Sequence, residues 1–250
     1  MVNMSGHSKW STIKRKKGAN DAKRGKLFAK LVKAIEIAAR NGGTDPSSNA
    51  PLYQAISKAK SNSVPNENIE RALKRIDGDS DSDELFELSY EGYGLYGVAI
   101  LINCLTDNKN RASSDVKATL SKHGGSMGTP GSVSYLFERK AVFQFEQSSE
   151  ELINLAISND AEDIIEQSSS ITFEFSASNF KKANEAFLQK NYLPSSSEIA
   201  YVPSTSINLS IDQFLKISKL IDALEDLDDV QDVYTNFDIQ EKDLETLLSD

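Results

Sequence analysis

From Lys26 onward, apolar residues recur three and four positions apart. Leu27, Phe28, Leu31, Val32, Ile35, Ala38 and Ala39 mark one buried helix face, and Asn41, Gly42 and Gly43 end it. Pro51 suits a first helical turn, and Leu52, Ala55, Ile56 and Ala59 give a second stripe that stops in the Asn62 to Pro65 stretch. Ile69, Ala72, Leu73 and Ile76 give a third. Three short amphipathic helices cannot hide their stripes singly, so the pattern predicts a small bundle.

The run DGDSDSDE, Asp77 to Glu84, has no apolar residue and reads as a flexible linker. As a calcium loop it fails, because Ser82 stands at the glycine position and Leu88 at the bidentate glutamate position.

Beyond the linker the period alternates between strand and helix. Strands are predicted at 86–90, 98–104, 133–137, 207–209 and 230–234, with helices at 110–122 and 211–224. The segment between repeats the order strand, helix, strand, strand, helix, strand by itself, from Ala141 to Val202. The predicted class is α+β: an N-terminal three-helix domain followed by two ferredoxin-like βαββαβ domains, one inserted in the other. The expected boundaries are 1–80 for the basic arm and helical domain, 81–139 plus 204–250 for a discontinuous α/β domain, and 140–203 for the inserted one. The turn at Glu138 to Lys140 and the segment around Pro203 are the expected insertion points.

Charge sharpens this division. Residues 1–80 carry 16 Lys/Arg against 7 Asp/Glu, a net of +9, whereas residues 81–250 carry 12 against 30, a net of −18. The positive field gathers at one end of the molecule. The single cysteine, Cys104, lies in the apolar run GVAILINCL, which excludes an internal disulfide and suggests core filling in a reduced compartment. No apolar stretch approaches the roughly 20 residues of a membrane helix, and the start MVNMSGHSKW has no signal-peptide core. A cytoplasmic protein without membrane contact is expected, with either Met1 or Met4 as its first residue.

Catalytic chemistry finds little support. His7 and His123 are the only histidines, and neither has a Cys or second His at metal-ligand spacing. GGSMGTPGS, Gly124 to Ser132, lacks the Gly-Lys-Ser/Thr ending of a nucleotide loop and reads as structural. The acidic run DALEDLDD, Asp222 to Asp229, reads as a solvated helix end. No catalytic residue, metal or cofactor is predicted, and the chain is expected not to be an enzyme. LTDNKNR, Leu105 to Arg111, joins a buried strand to a helix start and admits two readings. Lys109 and Arg111 with free backbone amides make a secondary anion site, or the same residues simply cap the helix.

The opening stretch carries the clearest signal. Lys9, Lys14, Arg15, Lys16, Lys17, Lys23, Arg24 and Lys26 are opposed there only by Asp21. Such density calls for a polyanion, and each phosphate contact would release a counterion, giving salt-sensitive binding of broad sequence tolerance. Trp10 either stacks on an unpaired base or pins the arm to the bundle. Gly6, Gly18 and Gly25 interrupt the stretch, and no Arg/Asn/Gln cluster is set out for reading a major groove. The arm reads as a phosphate gripper.

The motifs GHSKWSTIKRKK, KRGKLFAKL, AARNGG, YEGYG, LTDNKNR and LIDALEDLDDVQDVYTNFDI, in this order from Gly6 to about Ile239, resemble those of the YebC/PmpR family. The resemblance implies a helical domain with two α/β domains. It also implies a regulator of gene expression, customarily classed as a DNA-binding transcriptional regulator. Relatives in bacteria and mitochondria are associated with the ribosome as translation factors that relieve stalling on proline-rich stretches. Carried over residue by residue, Lys9, Trp10, Lys14, Arg15, Lys16, Lys17, Lys23, Arg24 and Lys26 would be the nucleic-acid contacts. The family usually reads Asn-Ile-Lys-His-Arg-Lys where this chain has STIKRKK, so Arg15 retains charge but not the imidazole. The serine-rich inserted segment resembles the family least.

The expected function is therefore a non-enzymatic nucleic-acid-binding regulator, with DNA, ribosomal RNA or the ribosome as partner. A nuclease or modifying enzyme, which would need a metal or base cluster, and a protein-binding scaffold are the rivals. Turnover by purified protein would mark the first, and partner recovery unchanged by nuclease treatment the second.

Overall fold

The computed structural model describes residues 21–78, 85–167, 170–240 and 243. Among the described residues three helices come first: α1 (Asp21–Gly42), α2 (Ala50–Ser61) and α3 (Asn66–Gly78). Leu31, Ile35, Leu52, Ala59, Ile69 and Ala72 share one core, so the three predicted stripes do face one another. Gly25 lies inside α1 and does not interrupt it, because the helix starts at Asp21 rather than near Lys26.

The AARNGG motif is explained by the join between α1 and α2. Asn49 caps α2 by accepting from the Leu52 amide at 3.1 Å, while its Nδ2 donates to the carbonyls of Ala38 at 2.7 Å and Gly43 at 2.8 Å. A Cβ at Gly42 would lie 2.7 Å from Asn49 Nδ2, and Gly43 takes a φ of +89°. Both glycines are thus fixed by one buried asparagine. Of the acidic run, Asp77 and Gly78 belong to α3, and 79–84 lie outside the described residues.

The remainder is β1 (Phe86–Tyr93), β2 (Ala99–Thr106), α4 (Lys109–Lys122), β3 (Ser126–Met127), β4 (Phe137–Phe145), α5 (Glu150–Ser158), β5 (Asp163–Gln167), β6 (Ser170–Ser176), α6 (Phe180–Gln189), β7 (Ser196–Pro203), β8 (Ile207–Leu209), α7 (Ile211–Glu225), β9 (Val230–Thr235) and β10 (Phe237–Ile239). One antiparallel sheet runs β3-β1-β2-β9 and a second, between Phe137 and Pro203, runs β5-β6-β4-β7. The expected α+β class, a helical bundle followed by nested ferredoxin-like units, is observed.

Three local expectations are corrected. Ile207–Leu209 stands outside the outer sheet and pairs in parallel with β10, while β1 takes the place beside β2. A tight turn closed by the Gly94 amide on the Val98 carbonyl at 2.8 Å aligns β1 with β2 over eight residue pairs. Such a local hairpin closes at lower entropic cost than pairing with a three-residue segment a hundred positions away. Val133–Leu136 is no strand: Ser134–Leu136 form a 3-10 turn that leads into β4, and the alternation reflects the burial of Val133 and Phe137 on either side. Finally, Glu138 to Lys140 is not a turn but the first part of β4, paired with Val202, Tyr201 and Ala200.

Ile100, Ile102 and Cys104 of β2 pack on α4 and α7 through Val116, Leu120, Ile217 and Leu220. Cys104 is core filling, and burial pushes its thiol up to about 12. The other face of the same sheet packs Leu101 and Tyr234 against Phe137 and Tyr201 at the root of the insertion. The inserted core is dominated by Phe143, Phe145, Phe173, Phe175, Phe180 and Phe187. Their rings lie at centroid separations such as 4.9 Å for Phe145–Phe187 and 5.6 Å for Phe143–Phe175, mostly edge to face.

Candidate nucleic-acid interface

Of the arm residues singled out in the sequence, Lys9, Trp10, Lys14, Arg15, Lys16 and Lys17 lie outside the described residues. Lys23 falls in the first turn of α1. Arg24 is exposed, with its guanidinium 5.3 Å from the Phe28 ring centroid. Lys26 is exposed as well, its Nζ 3.4 Å from the Asp226 carbonyl and 3.4 Å from Asp228 Oδ1.

One and two turns further on, the basic side chains of α1 are committed elsewhere. Lys30 Nζ donates to the carbonyls of Glu225 at 2.6 Å and Leu227 at 2.8 Å. Lys33 Nζ donates to the Leu105 carbonyl at 2.9 Å and lies 4.0 Å from Asp229 Oδ1. Positions 26, 30 and 33 share one helix face. The acceptors of Lys26 and Lys30 lie at the C-terminal end of α7, where the helix dipole favours a cation, and that of Lys33 is a carbonyl of β2. Burial lowers the Lys30 pKa, only partly offset by Glu225 and the nearby aspartates. Lys30 and Lys33 were not singled out from the sequence. The available signal was their spacing from Lys26, set against the acidic run that closes the outer unit.

LTDNKNR takes the capping arrangement. Asn108 Oδ1 accepts from the Arg111 amide at 3.0 Å, and Thr106 Oγ1 accepts from the Asn108 amide at 2.9 Å. The Arg111 side chain grips Asp229 with two bonds, Nε to Oδ2 at 3.0 Å and Nη2 to Oδ1 at 2.8 Å, and reaches Asp107 at 2.7 Å. Its hydrogen bonds to Asp229 and Asp107 hold the guanidinium above its usual range, and Arg111 in turn holds Asp107 low. Lys109 Nζ sits 3.8 Å over the Phe86 ring. Arg111 and Lys33 thus converge on Asp229, which joins LTDNKNR, DALEDLDD and α1 in one electrostatic seam.

The glycine-rich loop is likewise directed at a carboxylate. Glu91, buried in β1, accepts from the amides of Gly131 at 2.7 Å, Val133 at 2.6 Å and Ser134 at 2.9 Å. Burial pushes this carboxyl up, but the three amides together outweigh it and hold it below the usual glutamate value. His123 caps α4, its Nδ1 3.0 Å from the Thr119 carbonyl. Among the described residues, no group of three His, Cys, Asp or Glu could hold a metal ion. No described helix is long and apolar enough to cross a membrane.

Comparison with known proteins bears on nearly the whole chain. Residues 8–79 match the family described as "TACO1/YebC protein N-terminal domain", and residues 85–237 match "TACO1/YebC second and third domain". A protein of Borreliella burgdorferi named "Probable transcriptional regulatory protein" is 50% identical over 242 residues, covering 96% of this chain and 99% of its own. One of the same name from Mycolicibacterium gilvum is 48% identical over 240 residues, covering 94% and 96%. The crystal structure of a conserved hypothetical protein from Aquifex aeolicus is similar in fold, with a TM-score of 0.78 and 39% identity over 88% of this chain and 93% of that one.

Proposed function

The chain belongs to the TACO1/YebC family, and on that premise we propose that it is a non-enzymatic regulator of gene expression, a DNA-binding transcriptional regulator that grips phosphates with its N-terminal basic arm. The observation that carries this reading is the separation of charge, +9 in residues 1–80 against −18 in the rest. A polyanion is drawn to one end and repelled by the other, which orients the molecule on it. The names of the relatives support regulation as the outcome.

The contacts in this proposal are Lys9, Trp10, Lys14, Arg15, Lys16, Lys17, Lys23, Arg24 and Lys26. Lys30 and Lys33 are left out because they are spent on the end of α7 and on the Leu105 carbonyl of β2. Lys109 and Arg111 enter only as a secondary anion contact. A phosphate there would have to displace Asp107 from Arg111, since Asp229 is the buried partner. The proposed domains are 1–80, 81–139 with 204–250, and 140–203, in a cytoplasmic protein that needs no cofactor.

A second reading has its own support. Gly6 and Gly18 interrupt the basic run in the sequence, a composition that with one indole suits irregular single-stranded RNA better than duplex grooves. In that reading the protein is a ribosome-associated translation factor that relieves stalling on proline-rich stretches. Ultraviolet crosslinking in growing cells, followed by sequencing of both recovered DNA and recovered RNA, decides between them. Arm-dependent enrichment of promoter DNA is expected for the first reading and of defined ribosomal RNA positions for the second. Recovery of neither, with or without an intact arm, would contradict both.

A further inference from the structure

The bundle is attached to the rest of the molecule in two chemically different ways. Toward the insertion the contact is aromatic: Tyr53 of α2 meets the Phe180 ring edge-on at a centroid separation of 6.2 Å, and its hydroxyl accepts from Asn184 Nδ2 at 2.8 Å. Toward the outer unit it is cationic. The bundle core, drawn from residues between Phe28 and Ile76, includes no residue of the outer unit, and neither core of the outer sheet includes one of the bundle. Ile37, one turn past Lys33, is buried but belongs to none of these cores. A polar junction between folded units permits them to move relative to one another.

Lys26, Lys30 and Lys33 make the α1 part of that junction. Their acceptors form one corner of the outer unit, because the Leu105 amide donates to the Asp229 carbonyl at 2.7 Å and ties the end of β2 to the turn after α7. Each acceptor is an oxygen, from the carbonyls of Glu225, Asp226, Leu227 and Leu105 to the carboxylate of Asp228. A row of phosphates offers the same ammonium groups the same kind of partner, with full charge. Lys26 is where the two compete. It is a proposed contact of the arm, and its Nζ already lies 3.4 Å from Asp228 Oδ1. A phosphate that takes Lys26 therefore comes up against the acidic turn, and two anions on one lysine repel each other.

We propose that this corner is a latch over a second polyanion-binding site: a nucleic acid held by the arm opens it and takes Lys30 and Lys33 of α1 as further phosphate contacts. The inference rests on the arm reading and extends the gripping surface along α1. The bundle swings about α2, where Tyr53 keeps hold of the insertion and Lys58 stands at the pivot between β7 and β9. Burial disfavours the charged form of Lys30 where it now lies, so exchanging two carbonyls for a solvated phosphate relieves that cost. By linkage, whatever opens the corner raises affinity for the polyanion by the same factor with which the polyanion favours opening.

The test uses the full chain with spin labels at two exposed helix positions, Lys74→Cys in α3 and Lys219→Cys in α7, while the buried Cys104 stays unlabelled. Double electron–electron resonance reads the label separation at low salt, first alone and then with a mixed-sequence DNA duplex or single-stranded RNA. The expected result is a second, longer separation that appears only with the polyanion. In Lys30→Met with Lys33→Met the longer separation should appear without it. The same double variant should also lose about two contacts' worth of slope in a log–log plot of affinity against salt, roughly 1.8 on the duplex and 1.4 on the single strand. Binding with both separation and slope unchanged would overturn the latch and leave the arm reading intact. A change in one without the other would overturn it too, since opening and the new contacts are one event. Failure of both polyanions to bind would overturn the arm reading and the latch together. Should the double variant not fold, the separation measured with the native lysines decides alone.

Discussion

Lys58 Nζ lies 2.5 Å from Asp232 Oδ1. Because the same ammonium also holds Glu198, one side chain of the helical bundle ties β9 of the outer sheet to β7 of the inserted one. Burial pulls the Lys58 pKa down, yet Asp232 and Glu198 outweigh it and hold the ammonium well above the usual lysine value. Replacing Lys58 with Met leaves two carboxylates facing each other without a counter-ion. The side chains involved retain 25 to 30% exposure, so the cost should fall below that of a fully buried pair, about 1–3 kcal/mol by urea unfolding. Adding Glu198→Gln and Asp232→Asn to the Met variant should recover most of it. A group whose folded pKa is raised contributes fully below its unfolded pKa and is lost above it. The Lys58 contribution should therefore persist through neutral pH and fade only as pH rises beyond about 10.4.

Glu91 makes the opposite prediction at acid pH. Its folded pKa is depressed, so its contribution is present above the unfolded glutamate value and is lost as pH falls through the folded one. Glu91→Gln should cost about 2–4 kcal/mol at pH 7, because an amide presents one acceptor and two unwanted donors to three backbone N–H groups. Hydrogen exchange at Gly131, Val133 and Ser134 should accelerate first, which locates the loss in the glycine-rich loop.

Arg111→Lys separates the two readings of LTDNKNR. A lysine keeps the charge but cannot span both Asp229 oxygens, so the urea midpoint should fall slightly, as expected for so exposed a guanidinium. Polyanion affinity should stay within twofold if the arm is the gripping element. A drop in affinity larger than the drop in stability would promote this residue to a phosphate contact.

The elements of this fold are readable in the sequence because each carries its own period. Leu31, Ile35 and Ala38 announce α1, and Phe143, Phe173 and Phe175 announce buried strands, from local spacing alone. What connects them is not readable in that way. β1 and Ile207–Leu209 are both alternating segments, and nothing in their alternation says which of them pairs with β2. Lys30, Lys33, Lys58 and Arg111 look like any surface cations until their partners, some 70 to 200 residues away, are placed beside them. For the same reason DALEDLDD reads as a solvated helix end, whereas Asp229 proves to be the buried partner of Arg111. The arm is legible for a different reason, since a density of charge needs no fold to be seen.

Glu174 gives a pH dependence of the other sign. With its folded pKa raised to about 7, the neutral acid is favoured in the native state, and stability is lost as pH rises through that value. Glu174→Gln should raise unfolding free energy at pH 8 by up to about 3 kcal/mol and leave it nearly unchanged at pH 4. Thermal denaturation of both proteins across pH 4–9 measures the difference. Equal stability at every pH would show that the carboxylate is solvated after all.

The central claim is that phosphates are gripped by the basic arm, and the salt dependence of binding tests it most directly. Affinity of the full chain for a single-stranded RNA and for a DNA duplex would be measured from about 50 to 300 mM salt, alongside a variant with Lys14, Arg15, Lys16 and Lys17 replaced by Ala. Each phosphate contact contributes a slope of roughly −0.9 on duplex DNA and −0.7 on a single strand in a log–log plot. The account predicts that the variant, with its circular dichroism unchanged, loses most of the affinity and about four contacts' worth of slope on whichever polymer it binds. An unchanged slope in the folded variant would contradict it and move the polyanion to another surface.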